Sequence, residues 1–229
     1  MVFAHGYGCD QNMWRFVAAK FEADYQVILF DYVGAGGADL SAYTPERYST
    51  LDGYVNDVLE ICGALDLHDV IFVGHSVSAM IGALAAIAEP ERFAALVFIG
   101  PSPRYIDDDS YVGGFAAVIM GNPDRPELGE ELTASFCRTD PEVARRFARV
   151  TFLSDNRADL ARVQTPTLIL QCTNDAIAPR AVGEYVSSMM PTSTFVVLEA
   201  TGHCPHLSAP DATVAAIAAY LRESNAARV

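Results

Sequence analysis

Positive charge is what this 229-residue chain has least of. Lys and Arg together number 15, only Lys20 is a lysine, and 29 Asp and Glu leave a formal net charge of −14. Such a surface repels polyanions, because nucleic-acid binding is driven largely by basic groups on phosphates, so nucleic acid is excluded as a partner. A polybasic stretch that would hold an anionic membrane is also missing. No Cys-x-x-Cys pair occurs: Cys9, Cys62, Cys137, Cys172 and Cys204 are odd in number and far apart. That usage reads as buried thiols in a reducing compartment. The opening residues, Met1 to Gly6, have neither the basic start nor the apolar run of a signal peptide. One long uncharged run exists, the nineteen residues Val70–Ala88. Gly74, His75, Ser76 and Ser78 interrupt it, its first part is β-branched and its last part alanine-rich, so it reads as strand, turn and helix rather than a membrane span. The expectation is a soluble, cytoplasmic protein.

Hydrophobic residues make up 51% of the chain and charged residues 19%, a composition that packs. Short β-rich runs predict buried strands at Val2–Ala4, Val27–Phe30, Val70–Val73, Ala95–Ile99, Thr167–Gln171 and Thr194–Leu198. Helical spacing separates them at Met13–Phe21, Leu51–Leu65, Ser78–Ala88, Val182–Met190 and Ala212–Arg222. Strand–helix repetition with near-continuous apolar strands implies an α/β domain whose parallel sheet is covered on both faces. The alternation breaks between Gly100 and Thr165, where helices are expected near Leu128–Cys137 and Pro141–Phe152. Residues 1–100 and 165–229 therefore read as the core domain and 101–164 as a cap inserted over the site. No internal repeat or linker separates a second domain.

Ligands of α/β sheets sit beyond the carboxyl ends of the strands, so the residues just past each strand matter most. After Val70–Val73 comes Gly74-His75-Ser76-Val77-Ser78, a serine between small residues at a strand-to-helix turn. That is the elbow of the α/β hydrolases, with Ser78 where the last glycine usually stands. After Thr167–Gln171 comes Asp175, and after Thr194–Leu198 comes His203. A serine hydroxyl needs an imidazole to take its proton and a carboxylate to fix the imidazole tautomer. The order Ser76, Asp175, His203, each just past a different strand, meets that need and makes these the candidate catalytic residues. His5-Gly6-Tyr7-Gly8 comes after the first strand, so the N–H groups of Tyr7 and Val77 are the candidate oxyanion hole. His5 reads as structural.

Other constellations are weaker. Asp31 to Gly37 lacks the third glycine of a dinucleotide loop and any following Gly-Lys-Ser/Thr, so it reads as a loop turn. His203-Cys204-Pro205-His206, even with Cys172, matches no zinc spacing, and no metal is expected. His206 reads as packed beneath the loop. Arg145, Arg146 and Arg149 read as a solvated helix face, and Asp155 and Asp159 lie in the insertion rather than after a strand.

With those residues in hand, the chain resembles the RsbQ-type branch of the α/β hydrolases, which includes bacterial stress-response regulators and, more distantly, the karrikin and strigolactone receptors. The stretches that carry it are His5-Gly-Tyr-Gly-Cys-Asp-Gln11, Gly74-His-Ser-Val-Ser-Ala-Met-Ile-Gly82, Ser102-Pro-Arg-Tyr105, Tyr111-Val-Gly-Gly-Phe115, Asn122-Pro-Asp-Arg-Pro126, Phe136-Cys-Arg-Thr-Asp-Pro141 and Gly202-His-Cys-Pro-His-Leu207. The resemblance implies a cofactor-independent serine hydrolase of small hydrophobic esters or lactones, acting with a PAS-containing phosphatase in a stress response. The rival reading is a ligand-sensing protein with slow turnover that works through a protein partner. Relative to that branch, an N-terminal strand pair is missing, leaving about six strands with Val27–Phe30 at an exposed edge. About two dozen residues are also missing after Phe115, several helical turns at ~1.5 Å rise per residue, so the cap is shortened. Phe136, Phe147, Phe152 and Ile177 are the candidate substrate-binding residues.

Overall fold

The computed structural model describes residues 1–105, 127–128, 130, 134–135 and 140–226. Six strands form one all-parallel sheet: β1 (Val2–Ala4), β2 (Ile28–Leu29), β3 (Val70–His75), β4 (Phe93–Ile99), β5 (Thr167–Asn174) and β6 (Ser193–Thr201). Their spatial order is β2-β1-β3-β4-β5-β6. All six expected strands are present. The edge strand is shorter than Val27–Phe30, because only Val2 and Phe3 of β1 find partners in it.

Alternation along the strands splits the core in two. Val2, Phe72, Leu96, Phe98 and Ile169 face one side, packing with α1 (Leu51–Ala64), α2 (Val77–Ala88) and α4 (Arg180–Met189). Phe3, Val73, Val97, Ile99, Leu168 and Leu170 face the other, against α5 (Pro205–Ser208) and α6 (Pro210–Ala226). Helix α1 starts where the Thr50 side chain accepts from the Asp52 N–H, and it buries Leu51, Tyr54, Val55, Val58 and Cys62 at three- and four-residue spacing. Helix α3 (Pro141–Leu153) starts where Asp140 accepts from the N–H groups of Glu142 and Val143, with Pro141 at the first position.

The helix expected over Met13–Phe21 is not one. Two 3₁₀ turns, Gln11–Trp14 and Ala18–Lys20, take its place, linked by bonds such as Val17 N–H to the Trp14 carbonyl, 2.9 Å. Met13, Trp14, Val17, Ala18 and Phe21 are buried as helical spacing predicts. An apolar stripe reports which face is buried but does not separate i−3 from i−4 bonding. The expected helix near Leu128–Cys137, the gap after Phe115 and Phe136 itself lie outside the described residues, in whole or in part. No helix of the described residues is long and apolar enough to cross a membrane.

Candidate active site

Ser76 sits between β3 and α2 with φ 57° and ψ −121°, a backbone strain that a non-glycine residue adopts only where its surroundings impose it. The turn is tight: a Cβ on Gly74 would lie 2.5 Å from the Ser78 carbonyl oxygen. Ser78 is not merely tolerated in the place of the usual glycine. Its hydroxyl donates to the His5 carbonyl at 2.5 Å and meets the Tyr32 hydroxyl at 3.0 Å, tying the elbow to the loop after β1. Ser76 does not cap α2 with its side chain. Val77 opens that helix, so its N–H is one of those with no intrahelical acceptor.

His203 comes after β6, and its Nδ1–H donates to Asp175 Oδ2 at 2.7 Å. The other carboxylate oxygen accepts from the N–H groups of Ile177 (2.8 Å) and Ala178 (3.0 Å). Burial pushes the Asp175 carboxyl up, but the imidazole and these two N–H groups outweigh it and hold the group below the usual carboxylate range. With Nδ1 occupied by the proton, Nε2 carries the free lone pair. It is buried and has no hydrogen-bond partner among the described residues. Ser76 and His203 line one small cavity of about 10 Å³ with Tyr7, His75, Thr151, Phe152 and Ile177. The Ser76 hydroxyl bonds to Tyr105, Oγ to Oη 3.0 Å, rather than to His203. A groove of about 890 Å³ between α1 and α3, lined by Tyr48, Asp52, Arg145, Arg146 and Arg149, lies apart from these residues.

The structure therefore brings Ser76, Asp175, His203, Tyr7, Val77, Phe152 and Ile177 together. Phe147 stacks on Tyr54 at 4.2 Å and meets Tyr7 edge-on at 5.8 Å, and it is not among the residues that line this cavity. His206 is fully buried against Trp14 and His75, as expected. His5 accepts from the Tyr32 N–H through Nε2, a structural bond. Asp155 pairs with Arg157, and Asp159 pairs with Arg162, away from the cavity.

Four residues of the site escape sequence reasoning. Tyr105 ends the Ser102–Tyr105 stretch with no role visible there, yet it touches Ser76. Gln171 donates to Asp175 at 3.1 Å from inside β5. Gly100 (φ 58°) lies where a Cβ would come within 2.9 Å of the His203 ring. Thr151 lines the cavity with a buried hydroxyl that has no partner among the described residues. Only Gly100 carries a usable signal, a glycine directly after a strand.

His75, Cys204 and His206 place donor atoms within 4.8 Å of one another. His75 Nε2 is already bonded to the His203 carbonyl at 2.9 Å, and burial raises the Cys204 thiol well above its usual range, so the thiolate a metal needs is disfavoured. The same burial lowers the pKa of His5 and His75, and that of His206 to about 3. All three therefore take up a proton less readily in the folded protein than in the unfolded chain, which binds protons below about pH 6.5. Stability is therefore expected to fall as pH drops from that value, each histidine contributing up to about 1.4 kcal/mol per pH unit. Urea unfolding at pH 7.5, 6.5 and 5.5 checks this. Equal stability at all three would contradict it, and His206→Phe should flatten the slope by about one proton's worth.

A parallel sheet with a strained serine at a strand–helix elbow, and a carboxylate–imidazole pair beyond two later strands, defines a hydrolase-type α/β domain. The chain belongs to the alpha/beta hydrolase family, whose model matches residues 1–216. It is 35% identical to "Strigolactone esterase D14" of Arabidopsis thaliana, over 98% of this chain and 91% of that protein. That alignment runs over 247 residues, more than the 229 present here, so the relative carries positions with no counterpart. It is 34% identical to "Karrikin insensitive 2 receptor CA" of Petunia hybrida, over 93% of this chain and 88% of that one. Among solved structures, a hydrolase from Oleispira antarctica superposes with a TM-score of 0.91 at 38% identity, covering 96% of this chain and 90% of that one.

Proposed function

We propose that the protein is a cofactor-independent serine hydrolase of small hydrophobic esters or lactones. The observation that carries this reading is the strained Ser76 elbow sharing a cavity with an imidazole whose Nδ1–H is bound to Asp175 and whose Nε2 lone pair is free. Ser76 Oγ attacks the carbonyl carbon while His203 Nε2 takes its proton, and the N–H groups of Tyr7 and Val77 receive the oxyanion. Collapse breaks the carbonyl–alkoxy bond, and His203 returns the proton to the departing oxygen. In a lactone that oxygen stays tethered to the acyl group. His203 then takes a proton from water, whose oxygen attacks the acyl carbon, and the regenerated Ser76 leaves with that proton. No metal or organic cofactor has a step in this sequence.

Tyr7, Phe152 and Ile177 give the cavity apolar walls, and the Thr151 hydroxyl supplies a polar group for a substrate oxygen. A neutral short-chain p-nitrophenyl ester is expected to turn over at least about tenfold faster than an equally long one ending in a carboxylate, because these walls offer no partner for a charge. Equal kcat/KM for the two would contradict the proposed substrate class. The segment between β4 and β5, with α3, is assigned as the cap. The four described cysteines are free and buried, which suits a cytoplasmic protein. The RsbQ-type assignment, and with it a PAS-containing phosphatase partner in a stress response, rests on the sequence stretches that begin at His5, Gly74, Asn122 and Phe136. The relatives compared above are a plant esterase and a plant receptor.

A second reading, ligand sensing with slow turnover through a protein partner, is favoured by one observation. In a cavity of only about 10 Å³, the nucleophile is engaged elsewhere than on its base.

A further inference from the structure

That engagement is specific. Ser76 Oγ and the Tyr105 hydroxyl are 3.0 Å apart, and Tyr105 is the only partner of that oxygen among the described residues. His203 Nε2, which lines the cavity with Ser76, has no partner among the described residues. The Tyr105 ring meets Phe152 edge-on at 5.5 Å, and Phe152 meets Tyr7 edge-on at 5.5 Å, so Tyr105 packs on a row of rings of which Phe152 and Tyr7 line the cavity. At about 10 Å³ the cavity is near the least that holds one water, so an ester fits only when its walls shift.

We propose that Tyr105 is a positioning residue that latches the nucleophile: its phenol holds the Ser76 hydroxyl off His203 in the resting protein and releases it when a substrate displaces the ring. This rests on the reading of Ser76 as nucleophile. Either direction of the bond keeps Oγ off Nε2, by different means. If Ser76 donates to Tyr105, its single proton is not available to Nε2. If Tyr105 donates, Oγ keeps its proton and a second lone pair, and the bond acts by holding the hydroxyl toward the phenol instead of toward Nε2. Opening the cavity and freeing the hydroxyl are then one movement, so acylation is slow without a ligand that fits and faster with one that pushes Tyr105 aside. Deacylation is untouched, because acyl-Ser76 has no hydroxyl to latch.

The test is Tyr105→Phe, which keeps the ring and removes the bond. Acylation and deacylation by p-nitrophenyl acetate are resolved in the pre-steady state. Labelling by an uncharged fluorophosphonate is followed by intact mass on wild type, Tyr105→Phe and Ser76→Ala, with thermal midpoints recorded. Expected are acylation and labelling faster by about two- to tenfold, the range one neutral hydrogen bond spans, with deacylation and midpoint unchanged. Acylation unchanged or slowed overturns the latch. A parallel loss in both steps with a lower midpoint overturns it in favour of an architectural role. A loss confined to esters with basic leaving groups overturns it in favour of a proton donor to the departing oxygen. If wild type is labelled at Ser76 and Tyr105→Phe is no faster, only the latch fails. If wild type is not labelled at Ser76, the hydrolase reading fails with it.

Discussion

His203→Ala is expected to lower kcat for a p-nitrophenyl ester on the order of 10⁶-fold, and adding Ser76→Ala to it should cost almost nothing more. The reason lies in how the two groups depend on each other. Ser76 is a weak nucleophile until its proton has somewhere to go, and the Nε2 lone pair of His203 is the acceptor facing the same cavity. An imidazole without the serine has nothing to activate for acylation, and a serine without the imidazole keeps its proton. Residues that act as one unit give losses that do not multiply. Steady-state rates of both single variants and the double variant test this. Losses that multiply would mean that the two residues act on separate steps or not in acyl transfer at all.

Asp175→Asn carries the next largest effect, a fall in kcat of about 10⁴-fold with the fold retained. One oxygen of Asp175 accepts from the N–H groups of Ile177 and Ala178, so in the amide that position must remain oxygen. The amide nitrogen is thereby forced into the place of Oδ2, where it faces His203 Nδ1 and the Gln171 side-chain amide, which now donates. A donor there obliges Nδ1 to accept, the imidazole proton moves to Nε2, and the lone pair that should take the Ser76 proton is gone. The check is the kcat of the variant beside its thermal midpoint. A loss below about tenfold would mean that Asp175 does not set the tautomer.

Most of the sheet could be read from the apolar pattern alone. β3, β4 and β5 are buried on both faces, so their apolar runs are nearly continuous, and the residues beyond their ends are placed by topology. Ser76, Asp175 and His203 were legible for the same reason: each occupies a fixed place relative to a strand. The turns over Gln11–Lys20 were not, since the stripe that buries Trp14 fits two kinds of helix. Phe147 and Phe152 lie five positions apart on α3, and nothing in the local pattern distinguishes their roles. Their different directions on the helix send one onto Tyr54 and the other into the cavity. Tyr105 and Gln171 meet Ser76 and Asp175 through contacts that no local pattern marks, and nothing local marks Thr151 as a wall of the cavity. Gln171 looks like a polar interruption in an apolar strand until Asp175 and Ala178 are seen around its amide.

The central claim is that Ser76 is an acylated nucleophile. Hydrolysis of a short-chain p-nitrophenyl ester by wild type and Ser76→Ala, with intact mass recorded on the same samples, tests it most directly. The account predicts turnover and a transient acyl adduct on wild type, and background rate with no adduct on Ser76→Ala. Equal rates for the two proteins, or an adduct that survives the loss of Ser76, would contradict it.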